Sequence, residues 1–585
     1  LEGDSLYYAY RFEQALTVYE QAHRYTSKDQ VPQLWAATLN DIGSAHQALG
    51  IRVAAAGGPV HLAAAVQAFR QALLVYNREQ MPQDWAATQS NLCSVLLDQA
   101  LRKGAEGAEL IYEALQENRQ ALLVYTREQI PEGWSRAQNN LGIALSMQAT
   151  RAAGEESKQL FVQAEQAYRQ ALLVRTRERL PHEWASTQHN LADALQAQGE
   201  RTEGGEGAQL FAQAVQAYQR TLLVFTREQM PEGWATTQNS LGNAFTEQGK
   251  RTAGEEGAQL LAQAVQAYRQ ALLVRTREQL PQPWASTQNN LGIALTEQGK
   301  RTAGEEGAQL LAQAVQAHRQ ALLVGTREQV PLLWAITQSN LCNALQEQGK
   351  RASGDEGAKL LAQAVDACRQ AVLVFTPDQF SEWWAWARSI EAEALLALHR
   401  DEDAVRALAQ VLEKVPDYRE AFELLGPALN NRLFHHQEAV ALTRNWLSRH
   451  PDDLPARLAL GEQLFASRSF PDSSQGISSL LKEQKLETKY RIVALGYAVA
   501  AGLAMDSPQV SDRFEELLGL VAAQPRDFSA TWTFEGTLHS LGEDPAAPHK
   551  DLLIRLFRSL AAPDRDSLLA GLKELREAPP LRKRS

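Results

Sequence analysis

From Gln279 to Glu328 the chain reads QLPQPWASTQNNLGIALTEQGKRTAGEEGAQLLAQAVQAHRQALLVGTRE, and close copies flank it on both sides. One tryptophan marks each copy: Trp35, Trp85, Trp134, Trp184, Trp234, Trp284, Trp334 and Trp384. The spacing is 50 residues, except 49 between Trp85 and Trp134. A proline stands three residues before the first seven, from Pro32 to Pro331, and Ser381 takes its place in the eighth. A fixed period of this length means a solenoid, in which each repeat buries its apolar faces against its neighbours.

Two helices are legible in each copy. The first starts near Pro281, because a residue without an N–H costs nothing in a first helical turn. Trp284, Leu291, Ala294 and Leu295 fall on one helical face. Gly299 is read as its stop, with Lys300 and Arg301 at the negative end of the dipole. The second helix opens with Glu305 and Glu306, and Leu311, Val315, His318 and Leu322 form its apolar stripe beside Ala314 and Ala321. No strand pattern competes. The marker tryptophans are read as core anchors, so that truncating Trp234 opens a large cavity.

Leu291-Gly292 followed by Ala314, His318 and Ala321 resembles the tetratricopeptide repeat (TPR) family, and other copies supply Ala164, Tyr168, Ala171 and Ala264, Tyr268, Ala271. The copies look like the long, about 50-residue TPR units of bacterial signalling proteins. The resemblance implies an all-α, right-handed TPR superhelix of stacked antiparallel helix pairs with a helical C-terminal cap. It implies little about function, since such arrays serve unrelated partners.

Composition narrows the classes. A net charge of −11 and a pI near 5.7 argue against a nucleic-acid or anionic-membrane surface. The one basic cluster, Arg582-Lys583-Arg584, sits in a Pro-containing tail. No stretch approaches the roughly 20 apolar residues that span a bilayer. Three cysteines are too few for a disulfide scaffold, so a reducing cytoplasm is expected.

Along the chain, residues 1–400 are expected to hold about eight repeats. Residues 401–470 should hold helix pairs of ordinary TPR length, 471–578 a helical cap, and 579–585 a disordered tail. Ala15, Tyr19 and Ala22 precede Trp35 by the offsets at which Ala314, His318 and Ala321 precede Trp334. The chain is therefore expected to open inside a second helix whose first helix is absent, as a piece of something longer. The one-residue deletion is placed in the loop at 101–109.

The repeat supplies its own control on candidate chemistry. Cys93 and Cys342 occupy the small-residue slot of Gly43, Gly142, Ala192, Gly242 and Gly292, while Cys368 and His318 occupy the aromatic slot of Phe69, Tyr168, Tyr218 and Tyr268. These are core positions. His435-His436 lacks a partner at metal-site spacing, and no phosphate loop follows a strand. No catalytic, cofactor or metal site is expected, and the chain is read as a non-enzyme.

Candidate partner-binding residues lie on the first helix, which the resemblance places along a concave groove. Positions five and six after each marker carry Asn91, Asn139, Asn140, Asn190, Asn239, Asn289, Asn290 and Asn340. A carboxamide both donates and accepts, so a row of them can pair with a peptide backbone. The same amides could instead bridge adjacent repeats. Ile336 and Trp386 break the polar pattern and form either a partner anchor or the seat of the cap. The expected function is a protein-binding scaffold or regulatory sensor arm, binding a protein segment in the groove. The alternative is the regulatory half of a larger enzyme, such as a caspase-like peptidase or nucleotidase signalling protein.

Overall fold

The computed structural model describes residues 2–9, 11–52, 57–526, 528, 532–544 and 547–581. Among these there are 27 α-helices and no strand, in an all-α arrangement of paired helices. The basic cluster Arg582-Lys583-Arg584 lies outside the described residues. The chain divides into two compact units, residues 1–324 and 325–585.

In the first unit six helix pairs follow one another: Pro32–Arg52 with Gly57–Ala72, Pro82–Lys103 with Ala108–Leu122, Pro131–Ala149 with Gly154–Leu172, Pro181–Glu200 with Gly204–Thr221, Pro231–Arg251 with Gly254–Ala271, and Pro281–Arg301 with Gly304–Ala321. Each helix packs on its partner, and each of the first five pairs packs on the next, second helix against first and first against first. Proline opens each first helix, and Thr-Arg-Glu forms the turn before the last four of them. Thr276 Oγ1 accepts from the Gln279 N–H at 3.3 Å, and Thr276 O from Leu280 N–H at 2.9 Å.

One glycine reading changes. Gly299 does not end its helix, which continues to Arg301. It lets the second helix approach, since a Cβ there would lie 2.9 Å from Leu311 Cγ. The reversal falls at Gly304, whose φ of +67° suits a residue without a Cβ.

The arginine that ends a first helix does more than complement its own dipole. Arg301 donates to Gly249 O at 2.7 Å, Thr252 O at 2.9 Å and Lys250 O at 3.0 Å, the carbonyls left open at the end of the preceding first helix. Arg251 does the same for Gly199 and Thr202, each at 2.7 Å. Gly257 leaves the room, because a Cβ there would overlap both Thr252 O and the Arg301 guanidinium.

The core lies at the middle of each pair. The Tyr268 ring rests against Gly242, where a Cβ would come within 2.7 Å of it, and Tyr168 rests likewise on Gly142. Leu-Gly and Ala-aromatic-Ala thus meet as the TPR resemblance implies. The marker tryptophans depart from expectation. Trp35 through Trp334 are half-buried, and only Trp384 is buried. They stand in the first turn of a helix, toward the edge of the layer, so truncating Trp234 should cost less than a full core cavity.

The start of the chain also departs from expectation. Phe12–Arg24 packs on a short helix, Glu2–Tyr8. Gly3 sits against the Tyr19 ring, and the Tyr19 hydroxyl donates to Asp4 Oδ1 at 2.7 Å. Seven residues were too few to show a helical period.

His318 fills the aromatic slot over Gly292, fully buried, with no partner for either ring nitrogen among the described residues. Burial drives its pKa down to about 3. The folded state therefore favours neutral imidazole. The stability this contributes is complete above about pH 6.5, where the unfolded residue titrates, and is lost as pH falls towards about 3. Substituting His318→Tyr restores the residue of the preceding repeats, with Thr296 placed as Thr246 is near the Tyr268 hydroxyl. Satisfying this buried position should raise stability by about 1–3 kcal/mol and flatten its acid dependence. Urea melts at neutral and acidic pH measure both. An unchanged acid slope would refute the assignment.

The second unit begins with Pro331–Arg351 and Gly354–Ala371, then Ser381–Ala397 with Asp401–Lys414. Here Cys342 and Cys368 form a disulfide, with Cα atoms 5.5 Å apart. The cysteine count had suggested a reducing compartment, but small and aromatic slots face each other in every pair. Two cysteines in those slots are necessarily adjacent. Cys93, the remaining cysteine, is buried, and burial pushes its thiol well up.

Next come Arg419–Pro427, which passes through Pro427 into a π-helical turn at Ala428–Arg432, then His436–Arg449 and Leu454–Ala466. Phe470–Leu480 follows and pairs with Leu454–Ala466, in a stretch where the sequence shows no repeat register. Thr488–Ala504, Val510–Ala522, Glu535–Gly542, Lys550–Leu560 and Arg565–Leu575 complete the chain. Tyr497 lies at the centre of their core with Phe465, Phe514, Phe534 and Phe557.

Candidate functional site

The carboxamide row divides by burial. Asn139, Asn140 and Asn289 are 8%, 7% and 4% exposed, whereas Asn91, Asn190, Asn239 and Asn290 are half-buried. Many of their hydrogen bonds run between repeats. Asn40 Oδ1 accepts from Asn91 Nδ2 at 3.2 Å and Thr88 Oγ1 at 3.3 Å. Two periods on, Asn139 Oδ1 accepts from Asn190 Nδ2 at 3.3 Å and Thr187 Oγ1 at 3.2 Å. Asn239 Oδ1 accepts from Thr287 Oγ1 at 3.0 Å, and Asn140 Nδ2 donates to Ser90 O at 3.4 Å. Thr88, Thr187 and Thr287, each three residues after a marker, thus meet the carboxamide five residues after the preceding marker, and Thr237 meets His189 in the same place. Sequence reasoning missed this threonine, although its recurrence at Thr88, Thr187, Thr237 and Thr287 was visible.

Two candidates stand in open space on the first-helix layer. Asn190 lines a cavity of about 640 Å³ with Ile143, Ser146, Phe161, Asp193 and Ala197. Asn290 lines one of about 210 Å³ with Gln196, Glu200, Asn243, Glu247 and Lys250, side chains of three consecutive first helices. Asn290 Nδ2 also donates to Asn243 Oδ1 at 3.1 Å, and Asn243 accepts the Tyr268 hydroxyl at 2.8 Å. Each amide therefore has one bond to its scaffold and an edge towards the cavity. Asp193, half-exposed, accepts from the Tyr218 hydroxyl at 2.5 Å.

In the second unit Asn340 and Ile336 are half-buried on Pro331–Arg351. Trp386, also half-buried, meets Trp383 edge-on with centroids 5.9 Å apart, and the 44% exposed Trp383 stacks on Phe375 at 5.7 Å. Ile336 and Trp386 lie on neighbouring helices that pack together. Among the described residues, the core of the C-terminal helices does not include either of them.

Among the described residues there is no group of three metal-ligating side chains, and no helix is long and apolar enough to cross a membrane.

No family model matches the sequence, and neither does any curated protein. Solved structures do resemble the fold. The C-terminal part of a TPR repeat-containing protein from Cytophaga hutchinsonii is 11% identical with a TM-score of 0.34, covering 57% of this chain and 99% of its own. Yeast Tom70 is 12% identical with a TM-score of 0.37, covering 88% of this chain and 98% of its own. Likeness at this level says nothing about a partner.

Proposed function

We propose that the chain is a non-catalytic protein-interaction scaffold whose first-helix layer binds an extended protein segment. The observation that supports this reading is the run of polar side chains, Gln196, Asn243 and Asn290, supplied by three consecutive first helices to one open cavity. A surface built one residue per repeat matches a ligand that is itself linear. Asn190 and Asn290 are the proposed contacts, with the half-buried Asn91 and Asn239 in the same layer. Asn139 and Asn140 join repeats and orient them, and Asn289 is buried in the same layer. Asn340, Ile336 and Trp386 form a separate proposed contact surface in the second unit.

The test places a photo-crosslinking residue at Asn190 or Asn290, with Glu256 on an exposed second-helix turn as control. Crosslinking to a discrete protein from the two groove positions and not from the control is expected. With that partner in hand, Asn190→Ala plus Asn290→Ala should weaken binding about 5- to 150-fold, from about 0.5–1.5 kcal/mol per hydrogen bond. Unchanged affinity in a folded double variant would remove the groove reading.

A further inference from the structure

A cavity of about 420 Å³ opens in the second unit between Arg419–Pro427, the π turn, Leu454–Ala466 and the segment at Trp532. Its size is that of a small-molecule site. The walls are apolar and aromatic: Phe422, Pro427, Ala456, Ala459, Tyr490 and Trp532. Two polar side chains enclosed by protein line it as well, Glu462 at 5% and Gln463 at 3% exposure.

Both offer acceptors. Glu462 Oε2 receives the Trp532 indole N–H at 3.0 Å, and Oε1 receives only a long bond of 3.4 Å from Asn430 Nδ2. Gln463 Oε1 is buried with no partner among the described residues. A carboxyl needs no such surroundings for packing, and an orphaned amide oxygen beside it has no structural explanation.

The charged and titratable groups around Glu462 do not neutralise it. Arg419, at the mouth, is engaged by Glu423 at 2.7 Å and Asp453 at 3.2 Å. His436 Nδ1 donates to Asn430 Oδ1 at 2.8 Å, and so reaches Glu462 only through that amide. Tyr490 lines the cavity, and Tyr497 packs from the core side. What Glu462 Oε1 and Gln463 Oε1 lack is a close hydrogen-bond donor, preferably cationic.

We propose that this cavity binds a primary ammonium carried on a compact aromatic body, the –NH₃⁺ head seated between Glu462 and Gln463 Oε1 and the ring against Trp532 and Tyr490. Three donors on the head match the open acceptors, and the aromatic walls favour a cation beside their faces. Burial pushes the Glu462 carboxyl up to about 7, against which the Trp532 hydrogen bond acts. A cationic ligand selects the ionised form, so binding below that pH expels a proton and weakens as pH falls.

The probe is phenethylamine, compared with 3-phenylpropionate and 2-phenylethanol, titrated into the full chain by calorimetry and Trp fluorescence. Saturable binding of the amine, at least tenfold tighter than either analogue, is expected. Affinity should fall by up to about tenfold per unit from about pH 7 to pH 5, with proton release seen in two buffers of different ionisation enthalpy. Glu462→Gln, isosteric and checked for an unchanged melting curve, should lose at least tenfold and abolish the pH dependence. Gln463→Leu should weaken binding without removing that dependence. No saturation below about 10 mM, equal binding of alcohol and amine, or an unaffected Glu462→Gln variant would each overturn the proposal. None of these outcomes bears on the first-helix layer of residues 1–324.

Discussion

Tyr268→Ala is expected to lower stability by about 3–5 kcal/mol, the cost of truncating a large ring in a core that cannot collapse around it. The ring is 2% exposed and lies on Gly242, a position that cannot move inward without bringing its helix along. The hydroxyl adds a second loss. It donates to Asn243 Oδ1 at 2.8 Å, the atom that also accepts from Asn290 Nδ2 in the next repeat at 3.1 Å. Truncation should therefore loosen both the pair 231–271 and its junction with the following one. Because repeats couple only to neighbours, the melt should split, an early transition appearing beside one near the original midpoint. Tyr268→Phe keeps the ring and should lose only about 0.5–1.5 kcal/mol. Urea and thermal melts followed by circular dichroism decide it. A loss below about 1 kcal/mol with one unbroken transition would mean that Tyr268 is not a core anchor.

The second large effect belongs to the Cys342–Cys368 disulfide. It closes a loop across 26 residues of sequence, for which chain entropy predicts about 3.5 kcal/mol of stabilisation. Thiol titration of unreduced protein in denaturant should find one free thiol, Cys93, and three after reduction. Reduction should lower the midpoint of the transition that belongs to residues 325–585 and leave the remainder in place. Three thiols without reductant would contradict the pairing, and an unshifted transition would contradict its energetic role.

The two predictions share an origin in the contact between small and aromatic slots. Five repeats put glycine or alanine opposite a ring or imidazole: Gly43 with Phe69, Gly142 with Tyr168, Ala192 with Tyr218, Gly242 with Tyr268, and Gly292 with His318. The two repeats with cysteine in the small slot lack an aromatic partner. Cys342 faces Cys368, and Cys93 shares its repeat with Asn118, which is buried and donates to Ala137 O at 3.0 Å. Volume is conserved across the contact, as a close-packed interior requires.

Much was legible from the sequence alone. The period, the proline starts, the helix pairs and the all-α class follow from local rules: 3.6-residue periodicity, the missing proline N–H, and a repeat length that only stacking can stabilise. What tertiary structure decided are questions of which atoms meet across 25 to 50 residues. The arginine that ends a first helix could have served its own dipole or its neighbour's carbonyls, and only stacking shows that Arg301 reaches Gly249 and Thr252. The carboxamides could have faced a groove or each other. Burial separates Asn140 and Asn289 from the cavity-lining Asn190 and Asn290, though their side chains are identical and their spacing regular. Seven of the eight marker tryptophans, the clearest letters in the repeat, turn out only half-buried, because periodicity reports a helix face but not how far that face lies from the layer's edge. Glu462 and Gln463 lie where no repeat controls the reading. Their cavity exists because the segment at Trp532, 70 residues on, returns to cover them, and no local pattern encodes such a return.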